Sequence, residues 1–534
     1  MKKQQFITDN SIEQEYTASI PLTHRKRFAQ FFTPLPVAKL LTQWLLGNPN
    51  LQTIQEPAFG LGIFSRLLLS QRNDLSIKAF EIDSTILATA KKCFAGVPNV
   101  KIVPQCYMEN DWQNKYDGII CNPPYFKFHD YNNKAILKTV EEKLHCSLTG
   151  FTNLYTLFLL KSLYQLKVNG RCAYLVPSEF LNSNYGETIK SYLIQTGMLR
   201  HIIVIDFAEN VFDDALTTAS IILCANDQWS ETVKFSYVRS LSDLHKISQA
   251  FSSKSPHLLF GKTFRVSELQ PNIKWRAYYQ KQNGGQFKYL VPFSVYAKVV
   301  RGIATGSNDY FTFTLSKAKE FSIDKKFLLP CICKAADVRS TFFTQQDFMA
   351  LRTNNKKIYL FNAENSDDEF VLRYIKKGES EGINKTYLNS CRTPWFSLER
   401  RPPAPIWVGV FNRTGLRFVR NEANIANLTA FHCVYPQSVN LLSEIDIDLL
   451  FAYLLTDTAK RILADNCREY GDGLQKFEPN DLNKGMILNI AMLPQSDKRK
   501  IIALYQQFQE CEKQGKASRY IKKIDDIIKE YFIK

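Results

Sequence analysis

The sequence predicts an α/β protein, an open, doubly wound, mostly parallel sheet followed by a second, α+β domain at the C-terminus. Strand-like and helix-like stretches alternate from about residue 50 to residue 240, the pattern of a sheet whose ligands gather at the carboxyl ends of its strands. At 534 residues the chain is too long for one ordinary core. Past residue 240 the alternation gives way to a stretch, Leu241–Phe251, that reads as a helix, then to 252–285, rich in Ser, Lys, Asn, Gln and Gly, which suits a linker or domain boundary, and then to a different mixture of elements. The expected organisation is an N-terminal extension over 1–24, a first domain over 25–240, a linker over 241–285 and a second domain over 286–534.

Residues 1–24 are polar and read as irregular surface chain. Arg25 to Pro34 leads into Val37, Leu40, Leu41, Trp44 and Leu45, whose spacing gives a helix with one apolar face and Thr33-Pro34 at its start. A hydroxyl at a helix N-terminus can hold a carboxylate or simply cap the helix. Next, Thr53 to Ser65 reads as strand, turn and helix. Gly60 and Gly62 allow a ligand to approach the backbone, but the third glycine of the dinucleotide fingerprint is missing, so nicotinamide binding fits poorly. The strand Ser76–Asp83 brings Glu81 to its end, where a carboxylate can accept both hydroxyls of a ribose or stand solvated. The short strand Val100–Val103 then leads to Cys106-Tyr107-Met108-Glu109-Asn110-Asp111.

The next strand, Tyr116–Cys121, breaks into Asn122-Pro123-Pro124-Tyr125. Two prolines make a rigid turn from which Asn122 and Tyr125 project. An Asn carbonyl, the main-chain carbonyl of Pro123 and a flat ring together suit an aromatic amine held by its NH2 hydrogens; the same four residues also suit a plain stiff turn. A buried helix is expected from Phe151, a strand at Cys172–Pro177, and two more strands at Ile202–Asp206 and Ala219–Leu223 with Phe212 between them. In the second half, Ile406–Phe411 and Thr429–Tyr435 read as strands, Leu449–Leu463 as one helix, and 498–534 as a basic amphipathic helix or helical pair.

A content of 45% hydrophobic and 22% charged residues is that of a folded protein. No apolar run reaches membrane-spanning length and no signal-peptide core follows Met1, so a cytoplasmic protein without a membrane partner is expected. The 12 cysteines form no CxxC pair, which favours reduced thiols over disulfides or zinc, and no metal is expected. A formal net charge of +17 favours a polyanionic partner.

Taken together, the Thr33-Pro34 segment, the Gly60/Gly62 turn, Glu81 and Asn122-Pro123-Pro124-Tyr125 resemble the TaqI-like branch of DNA adenine-N6 methyltransferases. That family's signature is (N/D)PP(Y/F), and the parts fall in its gamma order over roughly residues 25–225. The resemblance implies a Rossmann-like methyltransferase domain using S-adenosylmethionine, with Asn122, Pro123, Pro124 and Tyr125 catalytic. Thr33 and Pro34 would lie over the methionine end of the cofactor. Glu56, Ala58, Gly60 and Gly62 would form its turn, Glu81 and Ile82 would meet ribose and adenine, and Phe158 would pack on the adenine. Tyr125 and Phe212 would stack on a base flipped out of double-stranded DNA. At Cys106 the sequence departs from the family, which usually has an acid there to accept the cofactor's adenine amino group. Tyr107 keeps the neighbouring aromatic; either a backbone carbonyl, Glu109 or Asp111 serves in place of the acid, or cofactor binding is weaker.

The resemblance further implies a monomer acting beside a separate cognate endonuclease, and a C-terminal target-recognition domain. Arg301, Asn308, Lys334, Arg339, Arg400 and Arg401 are its candidate DNA contacts, each as suited to phosphate or solvent as to a base edge. Cytosine N4 asks for the same acceptors as adenine N6. RNA and protein-glutamine methyltransferases share the tetrapeptide but rarely carry a separate domain of this size, and a non-catalytic DNA-binding protein would not need the tetrapeptide intact.

Overall fold

The computed structural model describes residues 6–206, 218–227, 231–252, 261–363, 366–413, 415–437, 446–469, 474–512 and 518–533. The chain divides into two compact units, the first running to Lys281 and the second beginning at Gln282.

The first unit contains α1 (Ser11–Ser19), α2 (Leu22–Arg27), α3 (Leu35–Leu46), β1 (Thr53–Glu56), α4 (Ile63–Gln71), β2 (Ser76–Phe80), α5 (Ser84–Cys93), β3 (Val100–Val103) and β4 (Tyr116–Cys121). It continues with α6 (Asn133–Leu144), α7 (Leu154–Tyr164), β5 (Leu166–Pro177), α8 (Glu179–Asn182), α9 (Gly186–Gln195), β6 (Leu199–Ile205), β7 (Ala219–Ala225), β8 (Thr232–Val238), α10 (Leu241–Ser252) and β9 (Lys262–Arg265). The strands form one nine-stranded sheet in the order β3-β2-β1-β4-β5-β7-β6-β8-β9. From β3 to β5 every pair is parallel, whereas β7 runs antiparallel to both β5 and β6, and β9 antiparallel to β8.

Successive side chains on a strand point to opposite faces, so each buried strand feeds two cores. On β4, Ile119 and Cys121 join the layer that holds Val140 of α6, Leu157 of α7 and Ile189 of α9. Ile120 joins the other, with Leu41 of α3, Leu67 of α4 and Leu244 of α10. That two-faced burial is why β4, β5 and β7 read as continuous apolar runs rather than as alternating ones.

Two sequence expectations need correction. The segment 241–285 is not a linker. α10 buries Leu244 and Ile247, β9 extends the sheet beyond β8, and Trp275 is 0% exposed in the layer opposite α10. Its apolar residues are few but large, and the polar residues between them conceal the pattern. Likewise 1–24 is not irregular chain. α1 and α2 form there, and the fully buried Arg66 of α4 bonds Glu13 of α1 and the carbonyls of Ile7 (2.7 Å) and Asp9 (3.3 Å). One ion pair and two backbone anchors hold a polar segment that has little apolar surface of its own to bury.

The second unit has a five-stranded sheet in which Ile406–Gly409 lies between Phe431–Pro436 and Phe418–Asn421. The single helix expected over 449–463 is two, Ile447–Leu455 and Asp457–Ala464. Thr456 between them takes an extended backbone, and its hydroxyl accepts a hydrogen bond from the Ala459 amide at 3.2 Å, which starts the second helix. The basic C-terminal stretch forms a helical pair, Gln495–Glu512 and Ser518–Phe532, with Ile501, Tyr505, Ile524 and Ile528 fully buried. Among the described residues no helix is long and apolar enough to cross a membrane. All 12 cysteines are free thiols.

Trp275 donates its indole N–H to the Gln270 carbonyl at 2.9 Å and packs edge-on against Phe235. Trp275→Ala is expected to destabilise the first unit by about 3–5 kcal/mol through the cavity it leaves. Urea unfolding followed by fluorescence from the remaining tryptophans checks this, since a true linker residue would cost under about 0.5 kcal/mol.

Candidate active site

The strand order reverses at β1, which pairs with β2 on one side and β4 on the other. Such a switch point opens a crevice at the carboxyl ends of the strands. Glu56 ends β1, Glu81 follows β2 and Asn122 follows β4, so three residues far apart in sequence meet at one rim.

The turn after β1 is held from both sides. Gly60 (φ 55°) donates its N–H to Glu81 Oε2 at 2.9 Å, and Gly62 (φ 73°) precedes α4 in the left-handed region. A Cβ at Gly62 would lie 2.6 Å from the Phe59 ring and 2.7 Å from that of Phe94, so glycine is required there for space as well as for backbone conformation. Glu81 Oε1 accepts from the amides of Ile82 (2.8 Å) and Asp83 (2.9 Å). Burial nevertheless raises its pKa above the ordinary carboxylate value.

Asn122 is fixed by the segment before α3. Its Nδ2 donates to the carbonyl of Phe31 at 2.8 Å and to the hydroxyl of Thr33 at 3.1 Å. With both amide hydrogens used, Oδ1 is buried and accepts no hydrogen bond. A buried acceptor left open costs about 1–3 kcal/mol, and a donor entering the site recovers it. Tyr125 lies stacked on Phe31, ring centroids 6.0 Å apart at 16°, and meets Tyr155 edge-on. Thr33 is itself buried, its carbonyl accepting from Asn10 at 3.2 Å, and Pro34 stands at the N-cap of α3.

Of these groups Phe31, Thr33, Gly60, Glu81 and Asn122 line a cavity of about 270 Å³, and Pro34, Gly62 and Tyr125 stand outside its wall. Its walls include Thr33, Glu56, Ala58, Gly60, Glu81 and Ile82, and also Cys106, Tyr107, Asn122, Pro124 and Phe158. Tyr107 and Phe158 pack 5.1 Å apart. Lys161, on the same helix as Phe158, reaches under the loop after β3 and donates to the carbonyls of Tyr107 and Asn110; burial lowers its ammonium to about 7. Neither acid offered as a substitute at Cys106 is placed to serve. Glu109 is exposed, and Asp111 is taken up by Gln55, Tyr116, Asn114 and Lys78. The Cys106 carbonyl already accepts from Asn110 at 2.8 Å. Gln105, which also lines the cavity, is the amide-bearing neighbour that sequence spacing did not single out.

Other lining residues missed from sequence are Glu13, Gln30, Phe31 and Phe126. Gln30 donates to Asp83 at 2.6 Å, beside His24 at 2.9 Å, and so ties the loop after α2 to the start of α5. Phe212 lies outside the described residues. In the second unit, Arg301, Asn308, Lys334, Arg339 and Arg400 are exposed. Arg400 and Arg401 line one hollow of about 300 Å³ with Ile303 and Asn362, and Arg401 pairs with Glu399 at 2.9 Å. Arg339 borders a different hollow. Asn308 accepts from the Thr305 hydroxyl at 2.6 Å. Among the described residues no group of three His, Cys, Asp or Glu could hold a metal ion.

The parallel-rich sheet thus carries a glycine turn after β1, an acid after β2 and an Asn-Pro-Pro-Tyr tip after β4 at one rim. The chain belongs to the type II restriction-modification methyltransferases. Residues 53–212 match the Eco57I restriction-modification methylase family, and residues 282–530 match the C-terminal domain of type II methyltransferase M.Eco57I. The type II methyltransferase M.AccI of Acinetobacter calcoaceticus is 61% identical over 99% of this chain and 98% of its own length. M.XamI of Xanthomonas campestris pv. amaranthicola is 20% identical over 87% and 86%. Among solved structures, that of the DrdV–DNA complex covers 93% of this chain at a TM-score of 0.53 and 10% identity. That of a nuclease-deletion mutant of the type ISP enzyme LlaGI with a DNA substrate mimic covers 90% at 0.52 and 12%. This chain spans 58% of the first of these longer chains and 55% of the second.

Glu56 is fully buried, bonded by Ser65 Oγ, with Oε1 left without a partner. Burial pushes its pKa from 4.5 up to about 8. The folded state thus holds a proton that the unfolded chain releases, and the stability Glu56 contributes is present below pH 4.5 and lost as pH rises through about 8. Across that window the melting temperature of the wild type is expected to fall relative to that of Glu56→Gln. Parallel melting curves from pH 5 to 8 would show that Glu56 titrates normally.

Proposed function

We propose that this enzyme transfers a methyl group from S-adenosylmethionine to the N6 amine of an adenine flipped out of double-stranded DNA, as a TaqI-like methyltransferase of gamma order. The observation that carries this reading is the buried, unpaired Oδ1 of Asn122, whose amide hydrogens are committed to Phe31 and Thr33. An acceptor oriented in this way selects an amine.

The residues present fit the cofactor. Gly60 leaves room beside the backbone and Gly62 sets the turn, Glu56 and Glu81 supply acceptors for N–H and O–H groups, and Ile82, Tyr107 and Phe158 supply apolar walls for a purine. Thr33, Pro34, Ala58 and Cys106 complete the proposed binding set. When bound, S-adenosylmethionine supplies an electrophilic methyl group on a positively charged sulfur. The chain's own task is to hold the amine. Asn122 Oδ1 and the Pro123 carbonyl accept the two N–H hydrogens of the base, which favours a pyramidal nitrogen with an available lone pair. Pro124 keeps the turn stiff, so this alignment needs no reordering at each turnover. Tyr125, with Phe212, stacks on the extrahelical base and offsets the stacking lost from the duplex.

The partner is assigned to DNA from the family and from the net charge of +17. The second unit is proposed as the target-recognition domain, with Arg301, Asn308, Lys334, Arg339, Arg400 and Arg401 as contacts. The enzyme is proposed to act as a monomer in the cytoplasm, with any cognate endonuclease separate.

Asn122→Ala is expected to lower the methylation rate at least about 10³-fold while DNA affinity stays within about threefold, measured with radiolabelled methyl and by gel shift. Thr33→Val, which removes one of the two acceptors holding Asn122, is expected to cost about 1 kcal/mol, roughly a fivefold lower rate with DNA affinity unchanged. Mass analysis of nucleosides from methylated DNA separates N6-methyladenine, the expected product, from N4-methylcytosine, which would overturn the choice of base.

A further inference from the structure

Among the described residues of the first unit, no large apolar side chain is more exposed than Phe151, at 65%. A lone surface ring needs no explanation, but this one is neither lone nor loosely held. It meets Phe128 edge-on, ring centroids 5.1 Å apart at 81°, and Phe128 in turn meets His129 edge-on at 5.0 Å. The backbone is anchored on both sides of the ring. The carbonyl of Gly150 accepts from Asn133 Nδ2 at 3.0 Å, and that of Thr152 accepts from the Tyr131 hydroxyl at 2.8 Å. Asn153 Oδ1 accepts from the Phe128 amide at 3.1 Å, which ties the loop after the Asn-Pro-Pro-Tyr tip to the loop before α7.

The knuckle stands next to the mouth of the site. Phe128 lies on the loop that leaves Tyr125, and Pro124, Phe126 and Tyr131 of that stretch line the cavity, while Phe128 and Phe151 stand outside its wall. Lys127 on the same loop and Lys134 in the first turn of α6 are exposed. The acid of the loop, Asp130, is turned inward on it, pairing with His129 at 3.3 Å and accepting from the Lys127 amide at 3.0 Å. A flat apolar ring flanked by cations is the complement of stacked bases flanked by phosphates. A base that leaves a duplex opens a gap in the stack in front of the pocket it enters, and a fixed ring at that mouth can close the gap.

We infer that Phe151, buttressed by Phe128, is a wedge that enters the DNA base stack and fills the place vacated by the flipped base. This rests on the base-flipping reading above and extends it, giving the duplex that remains, and not only the extruded base, a contact on the first unit. Tyr125 meets the base that leaves, and Phe151 holds open the helix it has left. Because Gly150 and Thr152 are already anchored, the ring needs no ordering when DNA binds.

The test uses the full chain, methyl-labelled S-adenosylmethionine and a short duplex bearing the enzyme's own methylation site, mapped first by sequencing the modified bases in plasmid DNA treated with the enzyme. Phe151→Ala removes a ring that stands outside the core. It is expected to lower kcat/KM on this duplex at least about tenfold, about 1.4 kcal/mol, whereas Phe151→Trp, still flat and apolar, stays within about threefold of wild type. A pyrene nucleotide opposite the target base fills the gap without help from the protein, so on a duplex carrying it Phe151→Ala is expected to come within about threefold of wild type. The added indole of Phe151→Trp is expected to be quenched by stacking when the ordinary duplex binds, read as the difference from wild type. A loss under about threefold for Phe151→Ala on the ordinary duplex, an equal loss on both duplexes, or an indole that DNA leaves unquenched overturns the wedge. A wild type that methylates no DNA overturns the base-flipping reading and the wedge with it, a result distinct from the others.

Discussion

Everything at the rim of the sheet depends on where the two amide hydrogens of Asn122 go. A carboxamide left to itself can present either end to a ligand. Here the carbonyl of Phe31 and the hydroxyl of Thr33 take the nitrogen end, so the oxygen end faces the cavity. The partners come from a segment about ninety residues earlier in the chain, packed across the end of β4. The glycine turn, the acid after β2 and the aromatic wall can be in place, yet the oxygen end of Asn122 is the end left open only because that segment holds the nitrogen end. The local sequence Asn-Pro-Pro-Tyr supplies stiffness, and tertiary structure supplies polarity.

The same division explains what could be read from the chain. β4, the second half of β5 and β7 are buried on both faces and show as apolar runs, so the middle of the sheet and the alternation around it were legible. β8 and the edge strand β9 were not, because their sequences, Thr232–Val238 and Lys262–Arg265, are half polar. The stretch around Trp275 resembled a linker because a few large rings can anchor a polar segment without any periodicity. Thr456 shows the opposite failure: a strong apolar run hid a helix break that one side-chain cap is enough to make.

At the site, residues carrying a motif were legible and residues acting through another were not. Gly60, Gly62, Glu81, Asn122 and Phe158 line or shape the cavity, whereas Lys161 and Arg66 work behind it and have no spacing rule to announce them. Asp111 was a reasonable stand-in beside Cys106 by proximity in sequence. The structure spends it on Lys78, Gln55 and Tyr116 instead. Proximity along a loop says little about which way an acid points when a lysine from the neighbouring strand is within reach.

Phe31 serves the site with two different parts of itself. Its main-chain oxygen holds Asn122, and its ring lies flat against Tyr125. Alignment of the acceptor and support of the aromatic face therefore belong to one residue but to chemically independent atoms. A side-chain change at this position removes the support and keeps the acceptor, so the two contributions are separable by genetics even though they are inseparable in the fold. The ring at position 31 can therefore vary, changing what lies against Tyr125, without disturbing the carbonyl to which Asn122 donates.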